Sequence, residues 1–311
     1  MTEAPALSAG RRVTRGLFGA LVAFLFLPFP PLFLLGPLAG LLLLGRPATA
    51  REWLWIGGAM ALATMATAVG ARSVAQEVVL AAAALFTGTF LAMLLLRPGT
   101  APLRAALAAL ATAAAVAAGC AAVGLGWDAI HQALQSQLLD AMSLVVDQSG
   151  LPEASVAELR EMMTWMARAY PGLAALGAMG GGSLAVALAA RIARRPIVPS
   201  PGPLAGFRFN DHLVWGAVVT LGLFLLPLRD PWADLVLNLV VIWAGLYAAR
   251  GWAIVLTAAR RWPSGLAVAL FLGAVLLLPY VLSGLLILGL ADTWIDIRRV
   301  LSPPPPGGVV S

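Results

Sequence analysis

The feature that most constrains this chain is the recurrence of apolar stretches close to the ~20 residues an α-helix needs to cross the hydrocarbon core of a bilayer. Six read clearly as spans: 53–70, 78–96, 104–125, 171–190, 213–227 and 235–259, the fifth of them short. None has the period-two alternation of a membrane β-strand. Charged residues are 11% of the 311, where a soluble domain carries about a quarter. So little charge cannot cover a globular surface in water. The implied fold is all-α: a polytopic transmembrane helical bundle with about 8–10 membrane-inserted segments.

Two stretches resist a simple count. Residues 17–45 and 264–290 are each too long for one perpendicular span and too short for two, and they are broken by Pro28, Pro30 and Pro31 and by Pro279. Kinked or re-entrant hairpins fit both, because a backbone break at membrane depth is tolerated where neighbouring helices bury it. Arginine placement orients the rest. All 20 basic residues are arginine, and alternating the six clear spans with 46–52 inside puts ten of them on the cytoplasmic side. Arg72, Arg160, Arg168 and Arg229 are left outside. The implied location is the bacterial cytoplasmic (inner) membrane, multi-pass, with the lipid bilayer as principal partner. The net charge of +6 is thereby explained by topology, and nucleic acid is not expected.

Residues 126–170 form the substantial polar insertion. Trp127, Ile130, Leu134, Leu138, Met142 and Val145 make one helical stripe, and Val156, Leu159, Met163, Met166 and Tyr170 a second. This reads as an amphipathic two-helix extracytoplasmic insertion lying on the bundle or in the interface. Residues 1–302 then make a single integral membrane domain, and 303–311 a Pro-rich tail. The one cysteine, Cys120, sits in an Ala-rich span as a small packing residue.

No catalytic or metal-ligating constellation emerges, so an enzyme, a metal site and a cofactor are not expected. The two histidines, His131 and His212, lack ligand spacing. "GAMGGGS" (177–183) lacks the Gly-Lys-Ser/Thr ending of a phosphate loop and reads as a close helix–helix contact. Polar groups inside spans are more informative, because the bilayer makes them costly. In the last clear span, Trp243, Tyr247 and Arg250 share a stripe with Thr257, so the guanidinium can stack on aromatics facing the bundle interior. Asn238 lies on another face of the same helix. These four (Asn238, Trp243, Tyr247 and Arg250) are the candidate ligand or buried polar residues. The competing reading is a kink at Gly251 that lets Arg250 snorkel to the interface.

The apolar chain ends in "LGLADTWIDIRRVLSPPPP". On one continuous helix Asp292, Asp296 and Arg299 share a face, and Trp294 and Arg298 the neighbouring one. Carboxylates with arginines within two turns and a tryptophan at the end of an apolar run have the composition of an interfacial anchor. Asp292, Trp294, Asp296 and Arg298 are the C-terminal signature and anchor residues on this reading.

That signature, with the preceding "GFRFNDHLVWGAVVTLGLFLLP" and "LNLVVIWAGLYAARGW", resembles the YybS-like bacterial membrane proteins, a family of unknown function. The resemblance rests on Phe207, Phe209, Pro227, Asn238, Gly251, Gly289, Asp292, Trp294, Asp296 and Arg298. It departs at Arg250, where relatives often carry glutamine before the glycine. The family is distantly similar to the S subunits of energy-coupling-factor vitamin transporters. That similarity implies a small-molecule substrate and a separate energising ATPase module, docked through small-residue faces such as Gly16/Ala20 and Gly19/Ala23. The chain has no Walker motif of its own. The functional expectation is a small-molecule-binding transporter component lacking its own ATPase. The alternative is a membrane scaffold or assembly factor of the cell envelope.

Overall fold

A computed structural model of the protein describes residues 31–68, 74–97, 99–122, 153–199, 201–230, 232–259 and 263–301, with isolated positions between 132 and 139. The expectations for residues 1–30, for the first helix of the insertion and for the proline tail lie outside them. Among the described residues the chain is helical and has no strand. The helices are α1 (Leu32–Leu44), α2 (Ala50–Ala68), α3 (Val74–Leu96), α4 (Pro102–Ala122), α5 (Glu153–Ile192), α6 (Val214–Phe224), α7 (Trp232–Ala259), α8 (Ser264–Leu276), α9 (Leu278–Ile295) and α10 (Ile297–Leu301). Within α3, α4, α5, α7 and α9, the stretches Glu77–Leu96, Pro102–Gly119, Val156–Ile192, Trp232–Ala259 and Leu278–Ile295 are long and apolar enough to cross a membrane. The all-α polytopic bundle is therefore the observed architecture. Helix α2 covers much of the expected span 53–70 but carries Arg51 and Glu52 in its first turn and is not among those five. The expected span 213–227 becomes the short helix α6.

The described residues fall into two compact units, divided between 201 and 202, inside the "RRPIVPSPGPLAG" loop. In the first unit small residues set the packing distances. A Cβ at Gly36 would press on Thr87 and one at Gly40 would overlap Leu91, so α1 and α3 lie side by side and run the same way. Gly181 of α5 meets the carbonyl of Phe33, and Gly182 lies under Phe86 and Phe90. Those rings form a T-shaped pair (Phe33–Phe86, 5.7 Å) and a stacked pair (Phe86–Phe90, 5.5 Å). The glycine run 177–183 thus serves helix contact. Lipid tails are as apolar as the side chains, so close van der Waals approach of this kind is what holds such helices together.

Helix α5 is 40 residues long and continues through Pro171. At 1.5 Å per residue it extends about 60 Å, twice a ~30 Å hydrocarbon core. The stripe Val156, Leu159, Met163, Met166 and Tyr170 is half-buried along its N-terminal portion, joined without a break to the expected span 171–190.

One carboxylate closes the other end of this unit. Glu52 Oε2 accepts from the backbone N–H groups of Ala48 (2.9 Å) and Thr49 (2.8 Å) and from the Thr49 hydroxyl (2.7 Å), capping α2. Its Oε1 accepts from the N–H of Arg194 (2.7 Å), just past α5. That backbone bond, followed by the Thr49 and Ala48 bonds, lowers the Glu52 pKa to about 2 from an ordinary 4.5. A carboxylate depressed on folding contributes stability above its unfolded pKa and loses it as pH falls through the folded one.

In the second unit α7 and α9 cross at glycine. A Cβ at Gly251 would overlap the carbonyl of Leu285, and one at Gly289 the carbonyl of Tyr247. Neither position admits a side chain unless the helices separate. The expected bend in 264–290 is a break at Leu277 (φ −107°, ψ 32°), with Pro279 in the first turn of α9.

Three outcomes follow from this packing and from the Glu52 contact. Gly289→Val should destabilise the protein by roughly 1–3 kcal/mol or more, as overpacking of a close contact does. Gly284→Ala, where an added Cβ meets nothing within 4 Å, should be neutral or slightly stabilising in detergent unfolding curves. Glu52→Gln should flatten the acid limb of stability: wild type loses the Glu52 contribution between about pH 4.5 and pH 2, and the glutamine variant has none to lose there.

Candidate functional site

The crossing of α7 and α9 places two charges together in the interior. Arg250 follows the chain immediately before Gly251, and Asp292 sits one turn beyond Gly289. Both are fully buried. Arg250 Nε donates to Asp292 Oδ2 at 2.9 Å, and one terminal nitrogen donates to the Asp292 carbonyl at 3.2 Å. The other terminal nitrogen donates to Asp211 Oδ1 at 2.6 Å. Asp211 opens a 3-10 turn (Asp211–Leu213) whose first N–H group to be capped, that of His212, donates to Asn210 Oδ1 at 3.1 Å. The guanidinium also lies over the Phe209 ring, 5.4 Å from its centroid, and Phe209 meets Tyr247 edge-on at 5.2 Å.

A second arginine completes the cluster. The backbone at Asp296 turns left-handed (φ 46°, ψ 55°), ending α9 and starting the short α10. Arg298 then reaches back to Asp292 Oδ2 at 3.0 Å and donates to the Phe207 carbonyl at 2.8 Å. A non-glycine residue in this conformation is strained, and such strain persists where surrounding bonds over-determine it. Here the Asp296 N–H donates to the Asp292 carbonyl (3.3 Å), and the Asp296 carboxylate faces Arg208 at 3.4 Å. Two arginines and two aspartates (Arg250, Arg298, Asp211 and Asp292) make the inner network neutral. Asp292 Oδ1 is buried and has no hydrogen-bond partner among the described residues.

The sequence-predicted residues distribute unevenly around this centre. Arg250 is its hub. It does not snorkel, because α7 runs unbroken from Trp232 to Ala259 and the side chain is wholly enclosed. Tyr247 belongs to the aromatic wall, but the ring beneath the guanidinium is Phe209 rather than Trp243 or Tyr247. Trp243 instead donates its indole N–H to Thr220 (3.2 Å) and packs on Gly216, tying α7 to α6. Asn238 is buried three turns away, its amide donating to the Asp234 carbonyl at 2.7 Å. The C-terminal signature also divides. Trp294 is 66% exposed, and Asp296 pairs with Arg208 at the surface. Asp292 and Arg298 turn inward instead, and the continuous helix expected through Arg299 is interrupted at Asp296, so the shared faces drawn on it do not form. Asp211 was not among the sequence-predicted site residues, and Phe209 entered only through the family resemblance. The signal for Asp211 was present: a buried arginine requires a carboxylate, and few acids flank these spans.

A multi-helix membrane protein with a neutral ion-pair cluster inside its C-terminal unit is thus the class defined by fold and site. The chain belongs to the family described as "Predicted membrane protein (DUF2232)", whose model matches residues 17–293. No curated protein and no solved structure matches it.

Asp292→Ala should be the most damaging single change in this unit, about 3–5 kcal/mol, since it strands two buried guanidinium groups. The double variant Arg250→Ala/Asp292→Ala should cost less than the sum of its singles. A double-mutant cycle on detergent unfolding free energies measures the difference.

Proposed function

We propose that the protein is a small-molecule-binding component of a transport system in the bacterial cytoplasmic membrane, with residues 46–52 facing the cytoplasm. The observation carrying this reading is Arg250, a charge held fully inside a helix crossing by carboxylates from two other segments. Intramembrane ionisable residues are costly and are retained where a polar solute or a proton is handled. The unpartnered Asp292 Oδ1 supplies acceptor capacity for a donor group of such a solute. The likeness of most of residues 15–302 to YybS-like proteins, and more distantly to energy-coupling-factor S subunits, supports the same reading. With no Walker motif in the chain, energy from ATP would come through a separate module.

The scaffold alternative draws on a different observation. Every nitrogen of Arg250 is already engaged within the protein, which is what a purely structural staple requires.

Native mass spectrometry of gently solubilised membranes separates the two. A transport component should retain a small molecule at one-to-one stoichiometry, a nucleotide-hydrolysing subunit, or both, and Asp292→Asn should lose the small molecule while remaining folded. A wild-type protein carrying neither, or carrying only envelope-assembly proteins, would overturn the transport reading.

A further inference from the structure

The Glu52 contact gathers more than two helix ends. Helices α1, α3 and α5 run in parallel, since Gly36 and Gly40 of α1 meet Thr87 and Leu91 of α3, while Phe33 meets Gly181 and Gly45 approaches Arg195. All three therefore finish at one end of the first unit, and α2 and α4 begin there after short connections. Arg46, Arg51, Arg191, Arg194 and Arg195 stand at that end, all exposed. Arg97 and Arg104, in the α3–α4 connection, are exposed at the same end. The acid among these connecting residues, Glu52, is buried, and both its oxygens are taken by the α2 cap and by the N–H of Arg194. The guanidinium groups there face outward with no carboxylate from the same connections to neutralise them.

We infer that this corner, Arg46, Arg51, Arg194 and Arg195 around the Glu52 staple, is a binding site for the phosphate of anionic phospholipid headgroups. Guanidinium chemistry fits, because its planar fork bonds a phosphate through two parallel N–H donors. The depth fits a lipid rather than a protein. Leu44 and Leu96 end their helices 44% and 79% exposed beside the arginines, and Trp53 is 55% exposed just past Glu52. Apolar flanks topped by tryptophan and then by arginine follow the order of acyl chain, interface and headgroup. The α1–α2 connection is short, and Arg194 and Arg195 lie within three residues of the end of α5, so these arginines stay close to their helix ends. Arg46 itself is held in the left-handed region (φ 55°), with its N–H on the Leu43 carbonyl at 3.1 Å. Its direction is thereby set by the backbone. Lipid binding at this corner does not depend on whether the chain transports anything.

The test uses the full chain in nanodiscs of mixed phosphatidylglycerol and phosphatidylcholine, released into a native mass spectrometer. Wild type should retain phosphatidylglycerol over phosphatidylcholine by about tenfold, in line with the electrostatic pull of clustered basic residues on anionic lipid. R46Q/R51Q/R194Q/R195Q should abolish that preference, and R160Q, which removes an exposed arginine near the far end of α5, should keep it. The lysine counterpart R46K/R51K/R194K/R195K preserves charge and should fold, yet its preference should fall at least threefold because the bidentate contact is lost. Equal retention of both lipids by wild type, or an undiminished preference in the glutamine variant, would overturn the site. Displacement of the lipid by millimolar inorganic phosphate would assign the corner to a free anion and also overturn it, as would an acidic polypeptide bound there without lipid preference.

Discussion

The C-terminal unit depends on one buried bond, between the Arg250 guanidinium and the Asp292 carboxylate. An arginine at the centre of a membrane helix costs ~3 kcal/mol on insertion scales and more where water cannot follow it. Two things make it tolerable here. Glycine at 251 and 289 lets the helices approach until one backbone touches the other, which brings the two side chains within hydrogen-bond reach. The turn at Asp296 then returns Arg298 to the same carboxylate, so that Asp292 faces two cations and Arg250 faces two anions. Remove the glycines and the charges separate. Remove a charge and the crossing holds an unpaired ion.

Much of the first unit was legible in the sequence because its rules are one-dimensional. Apolar runs of membrane length announce helices wherever they occur, and α3, α4 and the C-terminal half of α5 fall where those runs lie, as does α7 in the second unit. Small residues in "GAMGGGS" announced a close contact, and Gly181 and Gly182 make one. Arg250 also stood out, since a charge inside a span is conspicuous against an apolar background. Its partners did not. Asp211 is 39 residues away and Asp292 is 42 residues away, and no periodicity links positions on different helices. The break at Asp296 was equally hidden. Nothing in the spacing of the run marks this aspartate as the point of the turn, which is held by the bonds of Arg298 to Asp292 and to the Phe207 carbonyl and by the pairing of Asp296 with Arg208.

The division between residues 201 and 202 illustrates a limit of another kind. Proline spacing in "RRPIVPSPGPLAG" marked an extended loop, but composition does not reveal that the boundary between two compact units falls inside it. The continuity of α5 was masked for a similar reason. A polar, amphipathic N-terminal half and an apolar C-terminal half suggest two elements with a boundary near Pro171, yet Pro171 lies inside a single 40-residue helix. A proline removes one backbone bond, and the surrounding turns with their packed neighbours, among them the buried Ala167, Ala169 and Gly172, hold the rest in place.

The ion-pair cluster has a gradient of strength along it, and that gradient decides where it can change. Asp292 is enclosed and bonded to both arginines, so its electrostatic interactions act in a medium of low dielectric and its loss leaves buried charge uncompensated. Asp211 holds Arg250 by a shorter bond, 2.6 Å, but half of its side chain is in solvent. Water competes for an exposed carboxylate, which weakens its hold whatever the distance. The Asp211 turn is also tethered lightly, through the Asn210 cap and the flanking Phe207 and Phe209, the second of which covers the guanidinium. The inner pair therefore fixes the helix crossing, and the outer pair, on its short turn at the start of α6, is the part whose bond can exchange without dismantling the unit.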